Sequence, residues 1–225
     1  FSGYANVSLT VNGILVRNTK NLNVSFNTVS SSVGGVISGI LNGINLIAFS
    51  NAPAGTFTNT INNNNISLQS GVAVSAINGI LAATSTATTT SSLSINNNNF
   101  NNFGHTVSGF GTITFITVSG SATTGPLNTN INGNTFTNIS VNTTGSVTFI
   151  SNRFTHTAGS VVNVNNNSVV TAFGKTGSGG SVYLYDSFGS SPSTVTETNT
   201  GNNFSNLTFT GTTIFNGWRS ADGAT

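Results

Sequence analysis

No cysteine and no methionine occur in the 225 residues, and only eight side chains carry a full charge. Without cysteine there is no disulfide, no zinc–thiolate centre and no thiol nucleophile. Charged residues make up 4%, against about a quarter in ordinary soluble domains. The basic residues Arg17, Lys20, Arg153, Lys175 and Arg219 are scattered. A nucleic-acid groove needs them clustered, so no nucleic-acid partner is expected. The three carboxylates are Asp186, Glu197 and Asp222. Polysaccharide cleavage works with paired carboxylates, in some enzymes with calcium, so the expectation is no enzyme, no metal and no cofactor. Asp186 and Glu197 read as residues of exposed turns. No apolar run reaches the roughly 18 residues of a membrane-spanning helix. The chain opens at Phe1 with neither an initiator methionine nor a signal-peptide pattern, as expected of a processed or excised part of a longer product.

Neutral polar residues take the place of charge. Asn, Ser and Thr together supply about 46% of the chain. Such a bias is compatible with disorder, but 36% of the residues are hydrophobic, 16 of them Phe, and they recur in a pattern, which favours an ordered fold. No stretch keeps a 3.6-residue period. Alternation of apolar and polar residues instead marks Val7–Val11, Val72–Ala76, Ile113–Phe115, Val147–Phe149, Val162–Val164, Val182–Leu184 and Leu207–Phe209 as strands. Asn-Gly pairs at 12–13, 42–43, 78–79, 132–133 and 216–217 read as turns between them.

Self-similarity organises the rest. INNNNI at 61–66 and INNNNF at 95–100 are followed by INGNTF at 131–136, VNNNSV at 164–169 and NTGNNF at 199–204, with a weaker copy, VSFNTV, at 24–29. The copies start at 24, 61, 95, 131, 164 and 199, so they lie roughly 35 residues apart. Each carries Asn at its fourth position: Asn27, Asn64, Asn98, Asn134, Asn167 and Asn202. A second series, INLIAFSN at 44–51, INGILAAT at 77–84, ITFITVSG at 113–120, VTFISNRF at 147–154 and VYLYDSFG at 182–189, falls between them, and IFNGW at 214–218 closes it.

A coil that winds once per repeat would stack equivalent strands in parallel about 4.8 Å apart. The expected fold is therefore all-β: a parallel β-helix or solenoid of about six degenerate repeats, forming one domain over residues 1–225. Asn64, Asn98, Asn134, Asn167 and Asn202 would then form a structural ladder of amides. Scarce charge fits as well, since like charges stacked in successive turns repel. The expected core includes Ile66, Leu68, Val74, Ile113, Phe115, Phe136, Val147, Phe149, Val164, Leu184, Phe204 and Phe209.

INGNTFTNIS at 131–140 and SVTFISNRF at 146–154 resemble the rungs of right-handed parallel β-helix repeat proteins, common among bacterial secreted and cell-surface proteins. The resemblance covers residues 20–215. It implies an architecture shared by polysaccharide lyases, tailspikes and adhesins, and so implies no single activity. Coils of that family are usually shorter than 35 residues, which leaves one long-sided turn or two short ones per repeat.

The remaining candidates read as structural. His105 and His156 occupy different repeats at different phases, as isolated surface or corner residues rather than metal ligands. GKTGSGG at 174–180 lacks the spacing of a phosphate-binding loop and reads as a flexible turn. Asn-x-Ser/Thr acceptors at Asn6, Asn23, Asn65, Asn138, Asn142, Asn166, Asn203 and Asn206 are no more frequent than 37 Asn in so Ser/Thr-rich a chain would give. Thr-x-Thr pairs at 58/60, 86/88, 112/114, 135/137, 155/157 and 208/210 would face one way within a strand, but they do not keep one phase. The expected role is structural: a fibre, filament or adhesin stalk, extracellular or at the cell surface. Its partners would be copies of itself end to end or neighbouring domains of a longer chain. The alternative is a flat Thr/Asn face that binds ice or a surface glycan.

Overall fold

The computed structural model describes residues 10–17, 21–31, 37–47, 56–84, 89–121, 125–189 and 191–220. They contain strands and turns and no helix, wound as a parallel β-solenoid of about five turns. The first sheet stacks Val11–Arg17, Ile40–Ile47, Ala76–Thr84, Ile113–Ser121, Val147–Thr155, Ser181–Ser187 and Ile214–Ser220 in chain order. The second sheet stacks Asn21–Ser25, Thr58–Asn62, Ser91–Asn96, Leu127–Asn132, Val161–Asn165 and Thr196–Thr198. The third stacks Thr28–Ser30, Asn65–Ser67, Asn99–Asn101, Thr135–Thr137 and Ser168–Val169. Short strands complete the circuit, pairing Gln69–Ser70 with Gly104–His105 and stacking Ile139–Val141, Phe173–Lys175 and Leu207–Phe209.

Every pairing is parallel, and its register matches the sequence repeat. Val24 pairs with Ile61, Ile61 with Ile95, Ile95 with Ile131 and Ile131 with Val164. One repeat is thus one long-sided turn. The asparagine tetrads form the corner between the second and third sheets. Their first residue points inward at the end of one strand and their sixth points inward from the next: Ile61 and Ile66, Ile95 and Phe100, and Ile131 and Phe136 are all fully buried.

The corner dictates which residue stands at its third position. Phe26, Asn63, Asn97, Gly133, Asn166 and Gly201 all have φ between 54° and 66°. This left-handed conformation is open to Gly and tolerable for Asn, whose short polar side chain bonds locally. The variation between N-N-N and N-G-N in the tetrads follows directly. Phe26 departs from the rule, with φ 59° and its ring 80% exposed.

The interior is a column of apolar side chains. Phe100 stacks on Phe136 at 5.4 Å between ring centres, Phe136 meets Phe149 edge-on at 4.8 Å, and Phe115 lies 5.1 Å from Phe149. Of the core expected from alternation, Ile66, Leu68, Ile113, Phe115, Phe136, Val147, Phe149 and Val164 are fully buried. Leu184, Phe204 and Phe209, in the last turns, are partly buried, Leu184 beside the shift of register between Ser181–Ser187 and Ile214–Ser220. Val74 is exposed. Residues 71–75 turn rather than extend, and the Ser70 hydroxyl accepts the Val72 N–H at 3.2 Å.

Four of the five Asn-Gly pairs are also not turns. Asn12-Gly13, Asn42-Gly43 and Asn78-Gly79 stack within the first sheet. The last of these glycines, Gly79, faces the core, where a Cβ would lie 2.5 Å from the Phe115 carbonyl oxygen and 2.6 Å from the Phe100 ring. Glycine is there to admit phenylalanine. Asn216-Gly217 likewise lies in a strand, beside a shift of register, whereas Asn132-Gly133 forms a corner as expected. The Val7–Val11 strand falls mostly outside the described residues, as do residues 48–51 of the second repeat series and the Thr86/Thr88 pair.

Candidate functional site

The ladder is the most extended polar feature of the described residues. The Nδ2–H of Asn27 donates to Asn64 Oδ1 at 3.0 Å, Asn64 to Asn98 at 2.9 Å, Asn98 to Asn134 at 3.0 Å, Asn134 to Asn167 at 2.9 Å and Asn167 to Asn202 at 3.0 Å. Each backbone N–H donates to the same Oδ1, as Asn98 does to Asn134 at 3.0 Å. The second Nδ2 proton reaches back to the preceding turn, from Asn98 to the Ile61 carbonyl at 2.8 Å and from Asn134 to the Ile95 carbonyl at 2.8 Å. A buried Asn can make four hydrogen bonds through its side chain, two given and two accepted. Asn98 makes all four while 0% exposed. Unpaired, these groups would each cost about 1–3 kcal/mol. From Asn64 to Asn167 the ladder is therefore a fully satisfied buried polar seam.

A shallower seam runs beside it in the opposite sense: backbone N–H groups of Asn96, Asn132, Asn165 and Thr200 donate to the side-chain oxygens of Asn62, Asn96, Asn132 and Asn165. The outward positions of the second sheet are Asn, Ser or Thr throughout except Val161. Asn23, Thr60, Ser94, Asn130, Asn163 and Thr198 form its central column. Thr58 and Thr60 face outward on this sheet, whereas Thr135 and Thr137 belong to the third, so the threonine pairs do not form a single array.

The loop at 174–180 is not a free turn. Lys175 is 0% exposed, and its ammonium donates to the carbonyls of Thr143 at 2.7 Å, Gly177 at 2.6 Å and Gly179 at 2.7 Å. Burial pushes its pKa below the ordinary lysine range, and the carbonyl cage supplies the compensating contacts. The same corner holds His105 one turn before Val141. His105 is also buried, not at the surface, with Nε2 2.7 Å from the Ser75 carbonyl oxygen and so the protonated nitrogen. Burial holds its pKa below the usual 6.5. His156 is buried too, edge-on to Phe154 at 4.9 Å, on another part of the coil.

Asp186 and Glu197 lie in strands rather than exposed turns, and Asp222 lies outside the described residues. Asp186 is buried in the first sheet and is clasped from both sides, by Arg153 of the preceding turn at 3.0 Å and Arg219 of the following turn at 2.7 Å. Opposite charges thus alternate along the stack. The Asp186 carboxylate raises the pKa of Arg219 further, and its guanidinium also lies 4.7 Å from the Tyr183 ring centre. Glu197 pairs in register with Val162 and accepts from Asn199 Nδ2 at 2.7 Å. Burial first, and the Glu197 charge second, push the Tyr185 phenol well above its normal range. With Asp186 committed to two arginines, these residues do not form a free carboxylate pair. No group of three His, Asp or Glu among the described residues is placed to hold a metal ion.

The C-terminal end is stepped. The first sheet extends to Ile214–Ser220, one turn beyond the last strand of the second sheet. Trp218, stacked on Tyr185 at 4.5 Å, overhangs a cavity of about 530 Å³ lined by Leu184, Asn199, Gly201, Asn202 and Phe204. No motif in the sequence points to this feature, because it arises where strands stop. No family model matches the chain, and neither does any curated protein or solved structure.

Proposed function

We propose that this chain is a structural rod segment of a fibre, filament or adhesin stalk, placed outside the cell or on its surface. The observation that carries this reading is the unbroken hydrogen-bonded seam from Asn27 to Asn202, which spends the most regular part of the sequence on stacking turns. Quasi-one-dimensional folds of this kind gain length by repetition, and their ends remain able to pair. Ile214 and Phe215 of the last strand are 60% and 50% exposed, with little charge nearby to oppose association. Neighbouring domains of a longer chain or further copies would cover such ends. Negative-stain imaging of the purified chain tests the reading: straight rods or filaments are expected, and compact globules would refute it.

A second reading rests on the outward face of the second sheet, an uncharged array of Asn, Ser and Thr interrupted only by Val161 among the described residues. Such a face suits a neutral, periodic ligand, ice or a glycan surface, better than a protein, since protein interfaces enrich aromatics and Arg. An ice-recrystallisation assay and a pull-down on insoluble polysaccharides check it, each against a Thr60→Lys, Asn130→Lys variant. Loss of activity in the variant supports this reading, and inactivity of the unmodified chain in both assays rejects it.

A further inference from the structure

The cavity beneath Trp218 lies where no described strand continues the second sheet past Thr196–Thr198. Each ladder asparagine from Asn27 to Asn167 gives its backbone N–H and one Nδ2 proton to the Oδ1 of the asparagine one turn on. Asn202 accepts those bonds from Asn167 and gives its other proton to the Val164 carbonyl at 2.6 Å. Its own two forward donors have no acceptor among the described residues, and Asn202 lines the cavity. Phe204 and Leu184 line it as well, in the place where Phe136 and Phe149 are covered by later turns. At Gly201, Asn202 and Phe204 the cavity floor thus repeats the third, fourth and sixth positions that earlier corners present to their successors, while Asn199 stands where those corners carry an inward apolar residue.

We propose that this end is an acceptor site for a β-arc supplied in trans by another polypeptide. The arc would have the pattern apolar, polar, Gly or Asn, Asn, polar, apolar. Its fourth-position Asn would offer Oδ1 to the two open donors of Asn202, its third residue would take the left-handed corner seen at Asn97 and Gly133, and its apolar ends would seat against Phe204 and Leu184. The first described strand of a second copy, Val11–Arg17, belongs to the first sheet and would stack on Ile214–Ser220 rather than on the corner at Asn202. The acceptor reading rests on the rod assignment but refines it from pairing ends to a defined peptide pattern.

Trp218 is the sole tryptophan, so its fluorescence reports on the site alone. The probe is a synthetic peptide spanning residues 89–106, which contains the INNNNF arc, titrated into the full 225-residue chain up to about 1 mM. Saturable change in Trp218 emission is expected, together with at least about tenfold weaker binding of the same peptide carrying Asn98→Leu. Absence of saturation, or equal binding of the two peptides, overturns the acceptor site. Rods in negative stain together with no peptide binding would remove this inference and leave the rod reading standing.

Discussion

Phe26 and Asn97 occupy the same corner position with nearly the same φ, 59° and 54°. Only the second residue type suits it. A bulky residue in the left-handed region costs roughly 1–2 kcal/mol, which Asn or Gly largely avoids. Phe26 also buries little, being 80% exposed. Phe26→Asn is therefore expected to stabilise the chain by about 1 kcal/mol in urea unfolding, with the m-value unchanged. His105 makes a second prediction at this scale. Its folded pKa lies below 6.5 because burial disfavours the imidazolium. The unfolded chain then takes up the proton first, so the contribution of neutral His105 is complete above about pH 6.5 and is lost as pH falls toward the lowered value. His105→Gln keeps an N–H for the Ser75 carbonyl and cannot titrate. Melting temperatures measured from pH 7.5 down to about 4.5 should fall more steeply for the unmodified protein than for the variant. Parallel curves would contradict this account.

The element that unites the turns is the ladder rather than any one strand. Replacing Asn98 by Leu removes one rung and takes a bond from four partners at once: the backbone N–H and Nδ2–H of Asn64, the Ile61 carbonyl and Asn134 Oδ1. Since a buried polar group left unpaired costs about 1–3 kcal/mol, the loss should reach at least about 3 kcal/mol in chemical denaturation. Asn99→Leu, on the outward-facing neighbour, is the control and should cost under about 1 kcal/mol. The ladder was readable before folding, because six asparagines at one phase of a roughly 35-residue period mark a single position that recurs once per turn. The Lys175 cage was not. Its carbonyls come from Thr143, Gly177 and Gly179, two of them Gly residues with no side-chain signature. A Gly-rich loop next to a lysine looks flexible until the lysine turns inward.

Among the described residues, strand pairing joins each turn only to its neighbours, as expected of a solenoid. Central turns have a neighbour on both sides and end turns on one. Native-state hydrogen exchange should therefore show the greatest protection for the backbone amides of Ile95, Phe115, Ile131 and Phe149, with progressively less for Val24 and Leu22 at one end and for Leu207 and Phe209 at the other. Uniform protection along the axis would mean a single cooperative unit instead of stacked turns.

By itself the sequence determined the class, the period and the seam. Alternation set the strands, the Asn/Gly third position set the corners, and the phase of the tetrads set which residues stack, since these depend on local conformation and on repetition along the chain. Only the tertiary structure decided which way side chains of equal character face. Asn12-Gly13, Asn42-Gly43 and Asn78-Gly79 stack as strand, with Gly43 against Ile66 and Leu68 and Gly79 against the Phe100 ring, where a side chain would collide. Asp186 became buried because arginines 33 residues away on either side stack directly on it. Both outcomes depend on residues across the coil or a full turn distant, where local sequence carries no trace of the contact and coiling alone brings the partners together.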